Sequence, residues 1–310
     1  MILITGGSGY VGGLVAAYFQ KLGYKVGVTT RNKKNISLLS LKDCEIYETD
    51  LLDLNEVVEV CKNVKFIFHF ASMNSKDSEH ATNKIRDNIK KVTNNLLQAT
   101  IQNSIEKFLY LSTAHVYGKN LINEVAEDTT PTPILQYAKN HLETEKILTD
   151  TLKDREIELM ILRLSNMVAA PSSIETKCWH LIAHDACKQA VRNKKIVLRS
   201  DGNQLRDFFS IYQLYNVIHD FINSEKKYSG IYNLGSGSSI SIKVLINIIR
   251  IQYFKIFQDE IDVIFGNEKM TNNEFTFNID KILNDLPNTN SYSLDDIIYE
   301  LLLFCKKSFL

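Results

Sequence analysis

The sequence is poor in the features that mark secreted, metal-binding and membrane-spanning proteins. Five cysteines occur in 310 residues, and none of them forms a C-x-x-C pair. An odd number of cysteines without such spacing disfavours a disulfide framework and a zinc site, so no metal is predicted. No run of about 18 apolar residues exists, and no basic segment with an apolar core begins the chain. These absences predict a cytoplasmic protein without a membrane partner.

The chain also lacks an excess of charge of either sign. The chain has 36 basic and 36 acidic residues, so its formal net charge is zero. No electrostatic attraction to nucleic acid is therefore predicted. The composition, with 45% hydrophobic residues, is that of a globular protein, and 310 residues can form one two-lobed enzyme or two domains.

Short apolar runs alternate with helical patterns along the first half of the chain. Strands are predicted at 2–4, 25–30, 45–48, 65–70, 107–112 and 157–164, and helices at 11–22, 53–61, 85–101 and 135–152, with a loop over 118–133. This alternation predicts an α/β fold with a doubly wound parallel sheet. We predict a first domain over 1–168 and a smaller mixed lobe over 169–310, with some segments returning to the main sheet.

A glycine-rich turn separates the first predicted strand from the first helix. Gly6, Gly9 and Gly12 satisfy the pattern G-x-G-x-x-G, and Tyr10 and Val11 open the helix. Glycine is needed there because a side chain would block the approach of a pyrophosphate to the backbone and to the helix N-terminus. The context predicts a Rossmann domain that binds a nicotinamide dinucleotide; the alternative is a plain glycine-rich turn.

The ends of the second and third strands bear on which dinucleotide is bound. No acidic residue follows Thr30, where NAD-preferring units often carry one, and Arg31 could pair with a 2′-phosphate. NADP is therefore favoured over NAD, although Arg31 could also be a solvated surface residue. Asp50 and Leu51 follow the third strand, where the carboxylate could bond the adenine or simply form a turn.

Beyond the glycine turn, nearly the whole chain resembles the extended short-chain dehydrogenase/reductase family, in particular its nucleotide-sugar epimerases, dehydratases and ketoreductases. The matching positions are 5–12, 50–51, 69–72, 88, 113–118, 137, 145, 163–166, 206–208 and 233–237. The resemblance implies hydride transfer at a sugar carbon, with Tyr137 as the acid/base and Thr113 bonded to the reacting oxygen. It implies a nucleotide-diphosphate sugar as substrate, bound by the lobe over 169–310.

The resemblance assigns further residues to both ligands. Those expected near the cofactor, besides the glycine turn, are Phe70, Ala71, Ser72, Asn88, Tyr137 and His141. Those expected near the substrate are Thr113, His115, Asn166 and Arg206, although Arg206 could instead pair with Asp207 and His115 could simply be packed. A homodimer is expected through the helices that contain Leu96 and Leu148.

One position departs from the family pattern. The family carries Tyr-x-x-x-Lys, and here the fourth residue after Tyr137 is His141. The family's lysine lowers the pKa of the tyrosine and bonds the nicotinamide ribose, whereas an unperturbed histidine is mostly neutral at pH 7. Lys139 does not replace it, because two residues along a helix is nearly the opposite face. Either the enzyme tolerates a weaker base, or it works mainly in the reducing direction.

Three functions remain open on the sequence alone. The leading one is an NADP-dependent reductase of 4-keto nucleotide-sugars, in surface-polysaccharide or deoxysugar precursor synthesis. The alternatives are a 4-epimerase with tightly bound NAD and a non-catalytic dinucleotide sensor. A 4,6-dehydratase is disfavoured, because Ala114 and His115 occupy positions where the resembling dehydratases carry Asp and Glu.

Overall fold

A computed structural model describes residues 1–33, 41–72, 83–118, 121–269, 274–286, 288–289 and 292–310. The chain divides into two compact units. Unit 1 comprises Met1–Lys119, Asp128–Leu164 and His219–Tyr232, and unit 2 comprises Asn120–Glu127, Ser165–Ile218 and Asn233–Leu310. The sequence predicted one boundary at residue 168, whereas the chain crosses between the units several times.

The strands and helices follow one another along the chain, and each is named here by its bounds. The strands are β1 Ile2–Thr5, β2 Val26–Thr30, β3 Glu45–Glu48, β4 Phe66–His69, β5 Lys107–Thr113, β6 Asn123–Val125, β7 Glu158–Leu164, β8 Asn166–Val168, β9 Lys195–Val197, β10 Leu205–Ser210, β11 Gly230–Leu234, β12 Ser239–Ser241, β13 Asp262–Ile264 and β14 Phe275–Phe277. The helices are α1 Tyr10–Lys21, α2 Leu54–Val60, α3 Asn83–Gln102, α4 Gln136–Leu152, α5 Ile182–Asn193, α6 Ile211–Asn223, α7 Ile242–Phe257, α8 Asp280–Asp285 and α9 Leu294–Phe309.

The main sheet has seven strands in the order β11-β7-β5-β4-β1-β2-β3. The pairs from β7 through β3 are parallel, and the order reverses beside β1. Such a reversal opens a crevice at the carboxyl ends of the strands, where ligands of doubly wound sheets bind. The predicted fold class is therefore confirmed. The strand β11, which lies at the edge of this sheet next to β7, comes from the second half of the chain.

Helices cover both faces of the main sheet, because successive side chains of its strands point in opposite directions. On one face, Ile67 of β4 packs in a core with Leu96 of α3 and Leu148 of α4. On the other face, the ring of Phe68 meets the ring of Phe19 of α1, with centroids 6.5 Å apart. Burial of these large apolar side chains is what fixes the helices on the sheet.

Unit 2 is a mixed lobe of short sheets and helices. Its sheets follow the orders β12-β10-β8, β13-β9 and β14-β6. Its core lies among α5, α7 and α9, where Ala186, Leu245 and Leu301 are fully buried. The strand β6 lies inside the segment predicted as loop 118–133, of which residues 119–120 are outside the described part.

Two further features of the fold concern its cysteines and the apolar character of its helices. All five cysteines are buried and carry free thiols. Within the described part of the chain, no helix combines the length and the apolar character that crossing a bilayer would need.

Candidate active site

The glycine-rich turn between β1 and α1 has no space for side chains. Gly6 has a φ of +73°, and a Cβ atom there would lie 2.7 Å from the backbone nitrogen of Ala71. A Cβ atom on Gly12 would lie 2.4 Å from the carbonyl oxygen of Gly6. Any side chain would therefore force the backbone apart. The absence of side chains at Gly6 and Gly12 also leaves the main chain of the turn accessible to a ligand that must approach it closely, as a pyrophosphate does.

The start of α1 supplies the second half of this anion site. Gly9 is the N-cap residue and has no side chain to bond the first-turn N–H groups, while its own N–H donates to the carbonyl of Gly6 over 2.9 Å. The first turn contains no acidic residue. The N–H groups at Tyr10 and Val11 and the positive end of the helix dipole are thus suited to a phosphate. The residues present fit a dinucleotide.

Thr5, the last residue of β1, fixes the loop that faces the glycine turn. Its hydroxyl oxygen Oγ1 lies 2.8 Å from Nδ1 of His69 and accepts hydrogen bonds from the backbone N–H groups of Phe70 and Ala71, both at 3.2 Å. Burial lowers the pKa of His69 to about 4, so its ring is neutral. The threonine therefore holds the loop of predicted cofactor residues against Gly6.

The other predicted cofactor residues lie at the ends of β2 and β3 and on α3. Arg31 is exposed directly after β2. Asp50 forms a turn, since its Oδ1 accepts the backbone N–H of Leu52 over 3.0 Å. The Leu51 carbonyl accepts a hydrogen bond from the Asn95 side chain over 3.0 Å. Asn88 is partly buried in the second turn of α3.

Tyr137 and Thr113 come together at the carboxyl end of β5. Thr113 ends that strand, and Tyr137 is the second residue of α4. Burial raises the pKa of Tyr137, and a hydrogen bond with Thr113 partly offsets this rise. The exposed His115 lies beyond them, its ring centroid 6.5 Å from that of Tyr137. The arrangement joins a phenol and a hydroxyl, which are the groups that proton transfer at a sugar hydroxyl needs.

His141 lies one helical turn after Tyr137, and the two rings meet edge to face with centroids 4.5 Å apart. Its Nε2 is 3.1 Å from the hydroxyl of Ser72, and its Nδ1 is 2.7 Å from the hydroxyl of Tyr110. Burial, aided by the neighbouring His69 and His115 rings, lowers the pKa of His141 to about 3. The group beside Tyr137 is therefore a neutral imidazole at physiological pH rather than a fixed cation.

Two other basic residues of unit 1, Arg163 and Lys139, are not free cations buried beside Tyr137 either. Arg163 and Glu145 form a buried ion pair, with Nη2 of the arginine 2.7 Å from Oε2 of the glutamate. The hydroxyl of Ser112 donates to the same carboxylate. Lys139 is exposed, as its helical position predicts. The electrostatic support for a Tyr137 phenolate thus comes from Thr113 and from the N-terminus of α4, where anions are favoured.

A pocket in unit 1 connects these side chains, and several of its members were missed by sequence reasoning. It is lined by Tyr137, His141, Ser72 and Ala71, which were predicted, and by His69, Ile89, Tyr110, Asn140 and Thr144, which were not. Asn140 is 8% exposed; its oxygen accepts from Gln136 over 2.8 Å, whereas its Nδ2 meets no acceptor among the described residues. A buried donor without a partner costs about 1–3 kcal/mol, so this pocket suits a ligand or water oxygen.

In unit 2, Asn166 and Arg206 flank Asp207. Asp207 accepts from Ser165, from the N–H and hydroxyl of Ser236 and from the N–H of Ser238, and its carbonyl accepts from Nδ2 of Asn166 over 2.8 Å. Arg206 does not pair with Asp207; its Nη1 donates to the Leu205 carbonyl over 2.9 Å. Burial lowers the pKa of Arg206, and no carboxylate of the described residues forms an ion pair with it. A guanidinium in this state is suited to an anionic ligand such as a phosphate.

The comparison with protein families matches a segment of the chain that includes the glycine turn and the Tyr137 region. Residues 2–235 match the NAD dependent epimerase/dehydratase family. The chain belongs to this family. The resemblance found in the sequence is thereby confirmed, and the substitution of the family's lysine by His141 is a departure within a family member.

Individual members of the epimerase/dehydratase family give the next level of detail. UDP-arabinose 4-epimerase 1 of Arabidopsis thaliana is 25% identical over 270 residues, which are 78% of this chain and 64% of the plant protein. The chain thus spans less than two thirds of that relative's length. The crystal structure of UDP-glucose 4-epimerase from Thermotoga maritima, with UDP-glucose, has a TM-score of 0.83 at 18% identity and covers 99% of this chain and 98% of its own.

A further solved structure contains a dinucleotide. UDP-glucuronic acid 4-epimerase from Bacillus cereus, in complex with UDP-glucuronic acid and NAD, has a TM-score of 0.81 at 22% identity and covers 99% of both chains. At this identity the likeness establishes that the fold is shared. The three proteins share the reaction class in their names and differ in the sugar.

Proposed function

We propose that this protein is a nucleotide-sugar 4-epimerase that keeps NAD bound and acts on a UDP-sugar. The observation that carries the proposal is the Tyr137–Thr113 pair, which lies in the same unit as the glycine turn fitted to a dinucleotide. The 4-epimerases among the relatives and solved structures support the reaction class, and NAD in one of those structures supports the cofactor.

The chain's own residues supply the proton transfer of the proposed reaction. Tyr137 Oη takes the proton of the sugar hydroxyl as the C4–H bond is broken, and returns it to the oxygen when that bond forms again on the opposite face. Thr113 Oγ1 bonds the same oxygen and keeps it in reach of the phenol. When bound, the dinucleotide supplies the reversible hydride exchange. Arg206 holds the substrate diphosphate.

With His141 in place of a lysine, a smaller fraction of Tyr137 is expected to be in the phenolate form, which acts as the base, at neutral pH. Burial raises the pKa of Tyr137, so the phenolate is scarce near neutrality and becomes more abundant as the pH rises. A neutral imidazole does not counter this effect, since it adds no positive charge to favour the phenolate. We therefore expect kcat/KM for epimerisation to increase with pH over a wide range, up to the pKa of Tyr137.

The variant His141→Lys tests this electrostatic account. An ammonium group beside Tyr137 lowers the tyrosine pKa, and opposite charges at such distances produce shifts of about 1–3 units. The rising limb of the pH profile of kcat/KM is expected to move by that amount towards acid pH. The control is His141→Gln, which keeps a neutral hydrogen-bonding side chain and leaves the limb in place. An unchanged limb in His141→Lys would contradict the account.

The reductase function rests on a different observation, the exposed Arg31 after β2. The comparisons do not support NADP specifically, and the relatives named above favour the epimerase. The two functions differ in what the purified protein carries. We expect nucleotide released by denaturation to be NAD, identified by mass spectrometry, and no consumption of added NADPH with a 4-keto nucleotide-sugar. Release of NADP, or steady NADPH consumption, would instead favour the reductase; bound NAD without any turnover would favour a sensor.

A further inference from the structure

Both ring nitrogens of His141 have a partner, and this raises the question of which nitrogen carries the proton. Nδ1 lies 2.7 Å from the Tyr110 hydroxyl and Nε2 lies 3.1 Å from the Ser72 hydroxyl. A neutral imidazole has one N–H donor and one acceptor nitrogen, and its neighbours select between the two forms. A hydroxyl can donate or accept, so the surroundings of Tyr110 and Ser72 decide.

The surroundings of Tyr110 favour a hydroxyl that donates to His141. Tyr110 is 3% exposed in the middle of β5, with the ring of His69 packed against it at 5.5 Å. Thr144, three residues after His141 on α4, also forms a hydrogen bond with this hydroxyl. The 2.7 Å separation of the Tyr110 oxygen and Nδ1 is shorter than the usual N–H···O distance and suits an O–H donor, so the Tyr110 proton is directed at Nδ1 of His141. The 3.1 Å separation of Nε2 and the Ser72 oxygen suits an N–H donor, so the donors run from Tyr110 to His141 to Ser72.

We propose that Tyr110 is a positioning residue that holds His141 as the Nε2–H tautomer, so that a neutral N–H donor points to the cofactor side of the pocket. This inference rests on the proposed function for its purpose, because the acceptor that this donor would serve, in place of Ser72, belongs to a bound dinucleotide. The Ser72 hydroxyl is the partner of Nε2 in the free protein. Compared with the family's lysine, His141 then lacks the positive charge beside Tyr137 but keeps a hydrogen-bond donor. Tyr110 acts through His141, to which it is hydrogen-bonded.

Nitrogen NMR of the purified protein tests the tautomer directly. Labelling histidine with ¹⁵N gives seven side-chain spin systems, and His141 is assigned as the one lost in His141→Gln. We expect the spectrum to report a protonated Nε2 and an unprotonated Nδ1 from pH 6 to pH 8, in line with a pKa of about 3. In Tyr110→Phe the Nδ1 resonance is expected to move to the position of an unprotonated ring nitrogen that accepts no hydrogen bond. A protonated Nδ1 in the wild-type protein would overturn the inference.

A double-mutant cycle separates positioning from a general loss of packing. Tyr110→Phe is expected to raise the dissociation constant for NAD about 5- to 10-fold, the range of one hydrogen bond. In the His141→Lys background the same change is expected to have less than a twofold effect, because an ammonium group has no tautomers to select. Equal losses in both backgrounds would show that Tyr110 acts structurally, and would overturn the inference.

Two further variants guard against a folding artefact. Thr144→Val keeps Tyr110 but removes a hydrogen-bond partner of its hydroxyl, and a partial shift of the His141 resonances is expected. Tyr253→Phe removes a buried phenol from unit 2 and is expected to leave those resonances unchanged. The readout also separates this inference from the proposed function. An Nε2–H tautomer in a protein that lacks epimerase activity would refute the function alone, whereas an Nδ1–H tautomer in an active epimerase would refute the inference alone.

Discussion

Replacing Tyr137 by phenylalanine is expected to lower kcat for sugar epimerisation by about 100- to 10,000-fold, the range that a positioned acid/base contributes. The phenylalanine keeps the ring that packs edge to face against His141, so the pocket retains its shape. Only the hydroxyl that exchanges the proton is lost. The rate is measured with a UDP-sugar, and the content of bound NAD is measured on the same sample and is expected to stay at the wild-type level.

The matched control for this variant is Tyr253→Phe, which removes a buried phenol from unit 2. Its kcat is expected to equal that of the wild type. If Tyr137→Phe kept its kcat within a factor of ten while remaining folded, Tyr137 would not be the acid/base, and the proton transfer would have to be reassigned.

The variant Gly6→Ala is expected to lose most of its bound NAD. Alanine at this position has to adopt a φ near +73°, and its Cβ would stand 2.7 Å from the nitrogen of Ala71. Backbone atoms must move to relieve that contact, and the turn that faces the pyrophosphate moves with them. We expect the dinucleotide content after purification to fall below a tenth of the wild-type value, measured by the absorbance of nucleotide released on denaturation.

Gly23→Ala is a control that matches Gly6→Ala in backbone conformation. Gly23 has a φ of +87°, and a Cβ atom there would meet nothing within 4 Å. Both variants carry the cost of a left-handed residue, about 1–2 kcal/mol, but only Gly6→Ala disturbs the turn. Gly23→Ala is expected to lower the thermal midpoint while keeping its NAD. Equal loss of NAD in the two variants would show that strain in the fold, and not the turn itself, governs binding.

The parts of the fold that the sequence predicted are those with a local signal. The glycine turn, the apolar runs of the sheet and the helical spacing after each of them all lie within short segments. The strand β6 was missed because its partner β14 comes 152 residues later, with Asn123 opposite Phe275. Three residues paired so far along the chain leave no pattern in their own neighbourhood.

The residues of the candidate site also divide into those with a local sequence signal and those without one. Tyr137, Thr113 and the glycines stand in recognisable motifs, whereas Tyr110 and Asn140 do not. A usable signal for Tyr110 did exist. Polar residues alternate on β5 at Tyr110 and Ser112, and polar residues four apart on α4 at His141 and Glu145 are their partners. Both spacings place side chains on one face of their element, so the two polar pairs could have been matched.

The hydrogen-bond state of Asn140 could not have been predicted in this way. Its oxygen is bonded by Gln136 four residues earlier, which helical spacing permits, but the absence of a partner for Nδ2 among the described residues depends on the three-dimensional packing. The same holds for the pKa of His141, which is low because the ring is buried, in contact with the rings of Tyr110 and Tyr137, and because the His69 and His115 rings lie nearby.

Inversion at the sugar C4 without added cofactor is the most direct test of the proposed function. The purified protein is mixed with a UDP-sugar, and its 4-epimer is followed by proton NMR, with Tyr137→Phe as the inactive reference. The proposal predicts that the wild-type protein brings either epimer to the same equilibrium mixture with no nicotinamide nucleotide added. Retention of the starting configuration across a panel of UDP-glucose, UDP-glucuronic acid and UDP-arabinose by a protein that carries bound NAD would contradict it.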